Sequence, residues 1–520
     1  MRGGRGDLMT LSVSEIIRGM HWIKPEILLS FFGFVMLILT ALFPRDWRKG
    51  IGFLSLISIL IVLILIPTYI GFKGKEDGKV ISGEAQGAFP DIHGRPGFVV
   101  DGFSVFFKIV ILLSSALAIL LSFKYLDYER IQEGEYYALI IFAAVGMMFM
   151  ASALDFALIY VGLELMALSV YILVGFIKWN RKSNEAALKY FLLGAFSSGI
   201  LLYGISLVYG VCGTTNLNGI RIAIENGVEN YLILETGMIF ILVGMAFKIA
   251  AVPFHMWTPD AYEGAPTSIT AFISTGPKAA AFAILLRVFI EGFVHLQEDW
   301  TLLFALIAFA SMTLGNITAI SQDNVKRMLA YSSIAHAGYA LMGVVAFGAA
   351  FGDWETKKFG LISVILYTLI YTFMNIGAFG FVVLLRRTQQ VGDRLEDFSG
   401  LARRNGLAAF VMLIFMLSLA GIPSTAGFIG KWWLFGAAIK ANYTWLAIAA
   451  VINSAISLYY YMRVVVTMYM GQPREEEKFV FPPGVTSALA ISVFFIFLIG
   501  LYPGPFIDFA RFALLPIAFR

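Results

Sequence analysis

Cysteine is nearly missing from this chain: Cys212 is the only one in 520 residues. One thiol can close no internal disulfide and hold no cysteine-bound iron–sulfur cluster, and nothing in the sequence resembles a zinc site. Charge is scarce too. Only 14% of the residues are Asp, Glu, Lys or Arg, 59% are hydrophobic, and the mean hydropathy is +0.81, so most of the chain is too apolar to fold around one soluble core. A net charge of +4 gives no reason to expect nucleic acid as a partner. Segments of about ten residues that alternate apolar with polar, the mark of a transmembrane barrel, are missing as well. The opening MRGGRGDLMTLSVSEIIRGM has basic residues but no apolar run before its next charge, so it reads as a tail or interfacial segment and not as a signal peptide.

What is present is a succession of long apolar runs. Stretches of roughly 20 apolar residues, enough to cross about 30 Å of hydrocarbon as a helix, recur between short polar gaps. LSLISILIVLILIPTYIGF, apolar on all sides, points to an all-α integral membrane fold without strands. About fourteen transmembrane helices are expected, beginning near residues 26, 51, 101, 136, 154, 187, 232, 267, 301, 327, 360, 406, 443 and 485. They divide the chain into an N-terminal tail (1–25), three N-terminal helices (26–125), a five-helix unit of helices four to eight (136–291), a second of helices nine to thirteen (300–470) and a C-terminal helix (485–520).

An even count puts both termini on one side of the bilayer. Lys and Arg crowd the gaps after spans one (Arg45, Arg48, Lys49), five (Lys178, Arg181, Lys182), nine (Lys326, Arg327) and eleven (Arg386, Arg387, Arg394, Arg403, Arg404). All these gaps share a face, which is expected to be cytoplasmic, with the termini on the non-cytoplasmic side of a prokaryotic inner membrane. The basic tail and the 72–100 loop, with Lys73, Lys75, Lys79 and Arg95, argue the other way, but long loops carry less weight. Six of nine tryptophans, Trp22, Trp47, Trp179, Trp300, Trp354 and Trp445, fall at expected span edges, where an amphipathic ring suits the headgroup level.

Two spans look broken: the seventh at Pro253 in KIAAVPFHMW and the twelfth at Pro423 in LAGIPSTAGFIGKWW, because proline removes a backbone donor and clashes with the preceding turn. Freed backbone groups at membrane depth are tolerated beside protein or a wet cavity, and transporters place ion sites at such breaks. The two prolines lie 170 residues, or five spans, apart. A repeat with an odd number of spans inserts in opposite orientations, so two inverted five-helix repeats with half-channels opening to opposite sides are expected.

Four charges sit inside the membrane. Glu164 is near the middle of span five, Lys278 is central in span eight, Lys248 lies one turn before the first break, and Lys431 two turns after the second. Unpaired, each would cost on the order of 2.5–3.5 kcal/mol, so the four together would cost roughly 10 kcal/mol. A static ion pair with Glu164 would explain one lysine and leave two. One acid with several bases is what a proton relay requires, since burial and a neighbouring cation make a lysine's proton easier to release. Sodium would want oxygen ligands, which three of the four central charges lack. His336, ten residues into span ten with Ser332 and Ser333 one turn before it, is a relay candidate. Tyr367, Tyr371 and Asn375, spaced by fours on span eleven, form a polar stripe that could hold water. His255 suits the bend of the first break. Glu185 with Lys189 and Arg287 with Glu291 read as i,i+4 pairs at helix ends. Asp155, Glu235, Lys326, Arg327, Lys440 and Arg463 read as interfacial anchors.

The strings VPFHMWTPDAYEGAPTSITAFISTGPKAAAFAILLR, QDNVKRMLAYSSIAHAGYALMG and GIPSTAGFIGKWW resemble the antiporter-like subunits of complex I. TPDAYEGAPT, and a lysine rather than a histidine at Lys278, favour the subunit N family of bacterial NADH:quinone oxidoreductase, with its mitochondrial and chloroplast counterparts, over the sister subunits L and M. The resemblance covers nearly the whole chain. It implies that Glu164, Lys248, Lys278 and Lys431 fill the family's four relay positions. It implies a proton-translocating subunit of a redox-driven quinone oxidoreductase, and thus a subunit of a translocase, with other membrane-arm subunits as partners. NADH, FMN, iron–sulfur clusters and quinone would be bound by those other subunits, with no cofactor or metal in this chain. The alternative is a subunit of a multisubunit cation/proton antiporter or membrane-bound hydrogenase.

Overall fold

The computed structural model describes residues 20–44, 49–69, 86–91, 94–129, 131, 134–386, 392–473 and 481–514. Most of the basic tail, Arg45, Trp47, Arg48, Lys73, Lys75, Lys79 and Arg387 lie outside the described residues. The helices run α1 (Lys24–Leu42), α2 (Lys49–Tyr69), α3 (Gly102–Tyr128), α4 (Glu135–Ser152), α5 (Phe156–Val174), α6 (Arg181–Cys212), α7 (Leu217–Glu225), α8 (Tyr231–Lys248), α9 (Trp257–Gly264) and α10 (Thr267–Arg287). There follow α11 (Gln297–Ile320), α12 (Val325–Ala349), α13 (Trp354–Leu385), α14 (Leu401–Arg404), α15 (Gly406–Ala420), α16 (Ala426–Lys440), α17 (Thr444–Met470), α18 (Pro483–Leu501) and α19 (Gly504–Phe512).

Thirteen helical stretches among the described residues are long and apolar enough to cross a membrane. The twelfth expected span is the remaining one, made by α15 and α16 in succession. All fourteen expected starts lie within six residues of the observed ones, the largest differences being 187 against 181 and 360 against 354. Helix ends are marked by side-chain caps: Asp101 and Ser104 form a capping box on α3, while Asn180, Asn324, Asp353 and Asn405 cap α6, α12, α13 and α15.

Strands do occur, contrary to the sequence reading. β1 (Gln86–Pro90) and β2 (Pro96–Val100) pair antiparallel in the long loop before α3, and Phe98 bridges to Ala153 at the entry to α5. Outside the hydrocarbon a short hairpin with partly unpaired edges is permitted, and hydropathy carries no sign of it.

Helix α10 lies at the centre, every residue buried, against α3, α4 and α13. Its C-terminal end is fixed by charge. Arg287 donates to Asp101 at 2.8 Å, to Glu291 at 3.1 Å and to the Ala151 carbonyl at 2.9 Å, and its guanidinium packs on the Phe103 ring. The expected Arg287–Glu291 pair is therefore present, but as part of a buried knot joining α3, α4 and α10. Trp300, expected at the headgroup level, is likewise fully buried and donates to the Phe293 carbonyl at 2.9 Å.

One buried ion pair escaped the sequence reading: Lys108 on α3 meets Glu26 on α1 at 2.7 Å, both nearly inaccessible. Removing one member of such a pair strands its partner. Lys108→Met should therefore lower stability by roughly 3–5 kcal/mol, while Lys108→Met with Glu26→Leu should regain most of it. Thermal unfolding of the two variants in detergent checks this, and equal losses in both would contradict it.

Candidate functional site

Both expected breaks are present. α8 ends on Lys248 and the chain resumes as α9 at Trp257; α15 ends on Ala420 and α16 begins at Ala426. Polar groups freed at the first break find partners: the Val252 N–H donates to the Ser311 hydroxyl at 2.9 Å, and the Trp257 indole donates to the Phe247 carbonyl at 3.1 Å.

At the second break, Lys431 reaches back across the gap. Its ammonium donates to the Leu419 carbonyl at 3.0 Å, the Ala420 carbonyl at 2.8 Å and the Ser454 hydroxyl at 2.9 Å. The two carbonyls are the last of α15, where the helix dipole is negative and no helical N–H follows. Gly421 makes this approach possible. Its φ is +86°, and a Cβ there would lie 2.8 Å from Lys431 Cδ.

Lys278 is held by neutral oxygens. It donates to the Ser333 carbonyl at 2.8 Å and to the Ser333 hydroxyl. That hydroxyl is a junction: Tyr371 donates to it at 2.8 Å, Tyr262 lies 3.3 Å away, and Asn375 bonds to Tyr371 at 2.7 Å. On the next turn of α12, His336 Nδ1 bonds to the Tyr367 hydroxyl, and Nε2 lies 3.1 Å from the Tyr461 hydroxyl, which also meets Ser332. A small cavity lined by Lys278, His336, Tyr367 and Tyr371 separates the two groups, with about 10 Å³ for the centre of a water, enough for about one molecule. From there the polar line continues. Tyr460 packs against Tyr461 with ring centres 4.4 Å apart and the rings tilted by 53°, donates to Asn316 at 3.0 Å, and Asn316 donates to Tyr339 at 3.0 Å. Lys431 sits 5.1 Å over the Tyr339 ring.

The structure thus gathers Lys278, Ser332, Ser333, His336, Tyr367, Tyr371, Asn375 and Lys431 into one buried polar line. Glu164 and Lys248 stand apart from it. Among the described residues Glu164 and Lys248 form no ion pair, and Glu164 Oε1 is buried without a hydrogen-bond partner. Nor does a hydrogen bond join Lys248 to Lys278. Glu164 is partly exposed, on a stripe of α5 with exposed Val161 and Leu168. The sequence reading missed Tyr262, Asn316, Tyr339, Tyr460, Tyr461 and Ser454; their only signal is a hydroxyl or amide in an otherwise apolar span.

Residues 153–457 match the family described as NADH:quinone oxidoreductase/Mrp antiporter, TM. A Trichlorobacter lovleyi protein called NADH-quinone oxidoreductase subunit N is 44% identical over 509 residues, covering 97% of this chain and 99% of that one. Subunit N 2 of Rhizobium meliloti is 45% identical over 94% of this chain and 96% of its own. Among solved structures, a chain of the respiratory complex I of Thermus thermophilus superposes with a TM-score of 0.76 at 30% identity, over 94% of this chain and 99% of that one. The Mrp complex of a Dietzia species shares the fold, with a TM-score of 0.77 at 21% identity over 94% of this chain and 96% of that one.

Because the αL backbone and the lysine both exclude a side chain at position 421, Gly421→Ala should destabilise the protein by roughly 1–3 kcal/mol. A lowered melting temperature in detergent is the expected reading, and an unchanged one would count against the close approach of Lys431.

Proposed function

The chain belongs to the NADH:quinone oxidoreductase/Mrp antiporter membrane family, as a member of its NADH-quinone oxidoreductase subunit N branch, and we propose that it moves protons through Glu164, Lys248, Lys278, His336 and Lys431. The observation that carries this reading is the polar line from Lys278 to Lys431. Every side chain in it is lysine, histidine, serine, tyrosine or asparagine. Lysine, histidine and the hydroxyls can each give up one proton and take another, and asparagine can bridge them. Among the described residues neither Lys278 nor Lys431 has a carboxylate in ion-pair contact, so each can change charge without stranding a buried anion.

The gap between Lys248 and Lys278 supports gating. Glu164, free of hydrogen bonds at Oε1, is able to approach Lys248 or leave it, and its charge would hold or release the lysine's proton accordingly. Pro253 and Pro423 keep the backbone open beside Lys248 and Lys431, where two inverted five-helix repeats would place half-channels to opposite faces. The electrons that drive this belong, in this reading, to other subunits of a redox-driven quinone oxidoreductase. Relatives at 44–45% identity carry that name, whereas the likeness to the Mrp complex at 21% concerns fold alone.

In the assembled complex reconstituted in vesicles, Lys248→Ala, Lys278→Met and Glu164→Gln should each lower the proton-to-electron ratio, with quinone reduction continuing. A wild-type ratio in all three would leave a purely structural subunit. The face carrying Lys182, Lys326 and Arg386 is proposed as cytoplasmic. Alkaline phosphatase fused to the C-terminus should therefore be active in cells, and an inactive fusion would reverse the orientation.

A further inference from the structure

The relay described above leaves one large polar cavity unused. It lies at the basic face, where the α9–α10 connection, the start of α12 and the end of α13 meet, and its volume is about 240 Å³. That space is open to the centres of water molecules, and since roughly 10–15 Å³ of it suffices for one, the cavity holds several waters. Lys326, read from the sequence as an interfacial anchor, is instead buried in its wall, only 1% exposed. Its ammonium donates to the Glu263 carbonyl at 2.9 Å and the Ala265 carbonyl at 2.8 Å, and among the described residues it has no carboxylate in ion-pair contact. Nearby acids are claimed by other cations: Glu263 by Lys182 at 2.9 Å and Arg327 at 3.0 Å, and Glu129 by Arg386 at 2.5 Å. Asp393, also in the wall, meets Arg386 through Oδ2 at 3.9 Å but keeps a buried Oδ1 with no hydrogen-bond partner. A carboxylate oxygen left without a protein donor beside a cavity of this size is what water satisfies.

One residue of the cavity wall, Lys326, shares a helix with the relay. Lys326 and Ser333 lie seven residues apart on α12, so they share one face about 10 Å apart along the axis, within reach of a lysine stem plus one bridging group. Tyr262, on the last turn of α9, immediately precedes the Glu263 carbonyl that holds Lys326, and its hydroxyl lies 3.3 Å from the Ser333 hydroxyl that holds Lys278. A tyrosine hydroxyl donates and accepts. Neither Lys248 nor Glu164 is on this path.

We propose that this cavity is a hydrated vestibule and that Lys326 takes protons from it to reload Lys278 through Tyr262 and Ser333, a second way into the central lysine from the basic face beside the one through Lys248. The inference rests on the proton-relay reading above.

Two measurements on the assembled complex test it. In a Cys212→Ser background, Ile177→Cys places a thiol in the cavity wall, and a charged, water-soluble methanethiosulfonate should modify it. Complete protection would show a dry or closed cavity and overturn the proposal. The second measurement is the proton-to-electron ratio of Lys326→Arg and Lys326→Met beside Lys278→Met. Arginine keeps the cation but does not release its proton. Both Lys326 variants should therefore lower the ratio from the wild-type value toward that of Lys278→Met while quinone reduction continues. A wild-type ratio in Lys326→Arg, with a lowered one in Lys278→Met, would make Lys326 a structural cation and sink this inference alone. A wild-type ratio in Lys278→Met would remove the relay reading and the inference with it.

Discussion

A lysine ammonium buried in a bilayer has three hydrogens to place and no bulk water to place them on. This constraint shapes the middle of the protein. Where another fold would supply a carboxylate, this one supplies neutral oxygens: two carbonyls and a hydroxyl for Lys431, a carbonyl and a hydroxyl for Lys278, two carbonyls for Lys326. Such partners favour the charged form without demanding it. For Lys431 and Lys326 the carbonyls come from the helix break at Gly421 and the turn after α9, whereas Lys278 takes a second bond from the Ser333 carbonyl inside the continuous helix α12.

Full ion pairs are used elsewhere, and to a different end. Arg287 with Asp101 and Glu291, and Lys108 with Glu26, sit toward one face and tie α3 to α10 and α1. At the opposite face, Arg327 meets Asp260 at 2.7 Å and Glu263 at 3.0 Å, joining α9 to α12. Outside the membrane-spanning segments burial raises the affinity of Asp260 for its proton, but hydrogen bonds from Arg327 and Lys189 outweigh it and hold the carboxyl below its ordinary range. Charges paired with charges thus lie toward the two faces, while Lys278 and Lys431 between them are held by neutral oxygens.

Much of this was legible in the residues. A bilayer forces helices of known length, so the spans, both breaks and the central positions of Lys248, Lys278 and Lys431 follow from hydropathy and proline alone. What failed was whatever depends on which helix lies next to which. Trp300 and Lys326 look interfacial by position along the chain, yet neighbouring helices cover them. Glu26 and Lys108 are 82 residues apart, and no periodicity brings them together. The tyrosines of the relay share their residue type with ordinary core aromatics, and only the hydroxyls' partners distinguish them.

Lys431 donates to three oxygens, and an ammonium has three hydrogens. A neutral amine has two hydrogens and a lone pair, so the same site would hold one unmatched contact. The two carbonyls cannot reverse, but the Ser454 hydroxyl, which also lies 3.3 Å from the Ala420 carbonyl, can turn and donate to the amine. The charge on Lys431 is thereby written into the direction in which one serine hydroxyl points. In the relay proposed above, a proton leaving the lysine would swing a dipole on α17, and the two half-helices at the break would keep their places while that dipole reports the change.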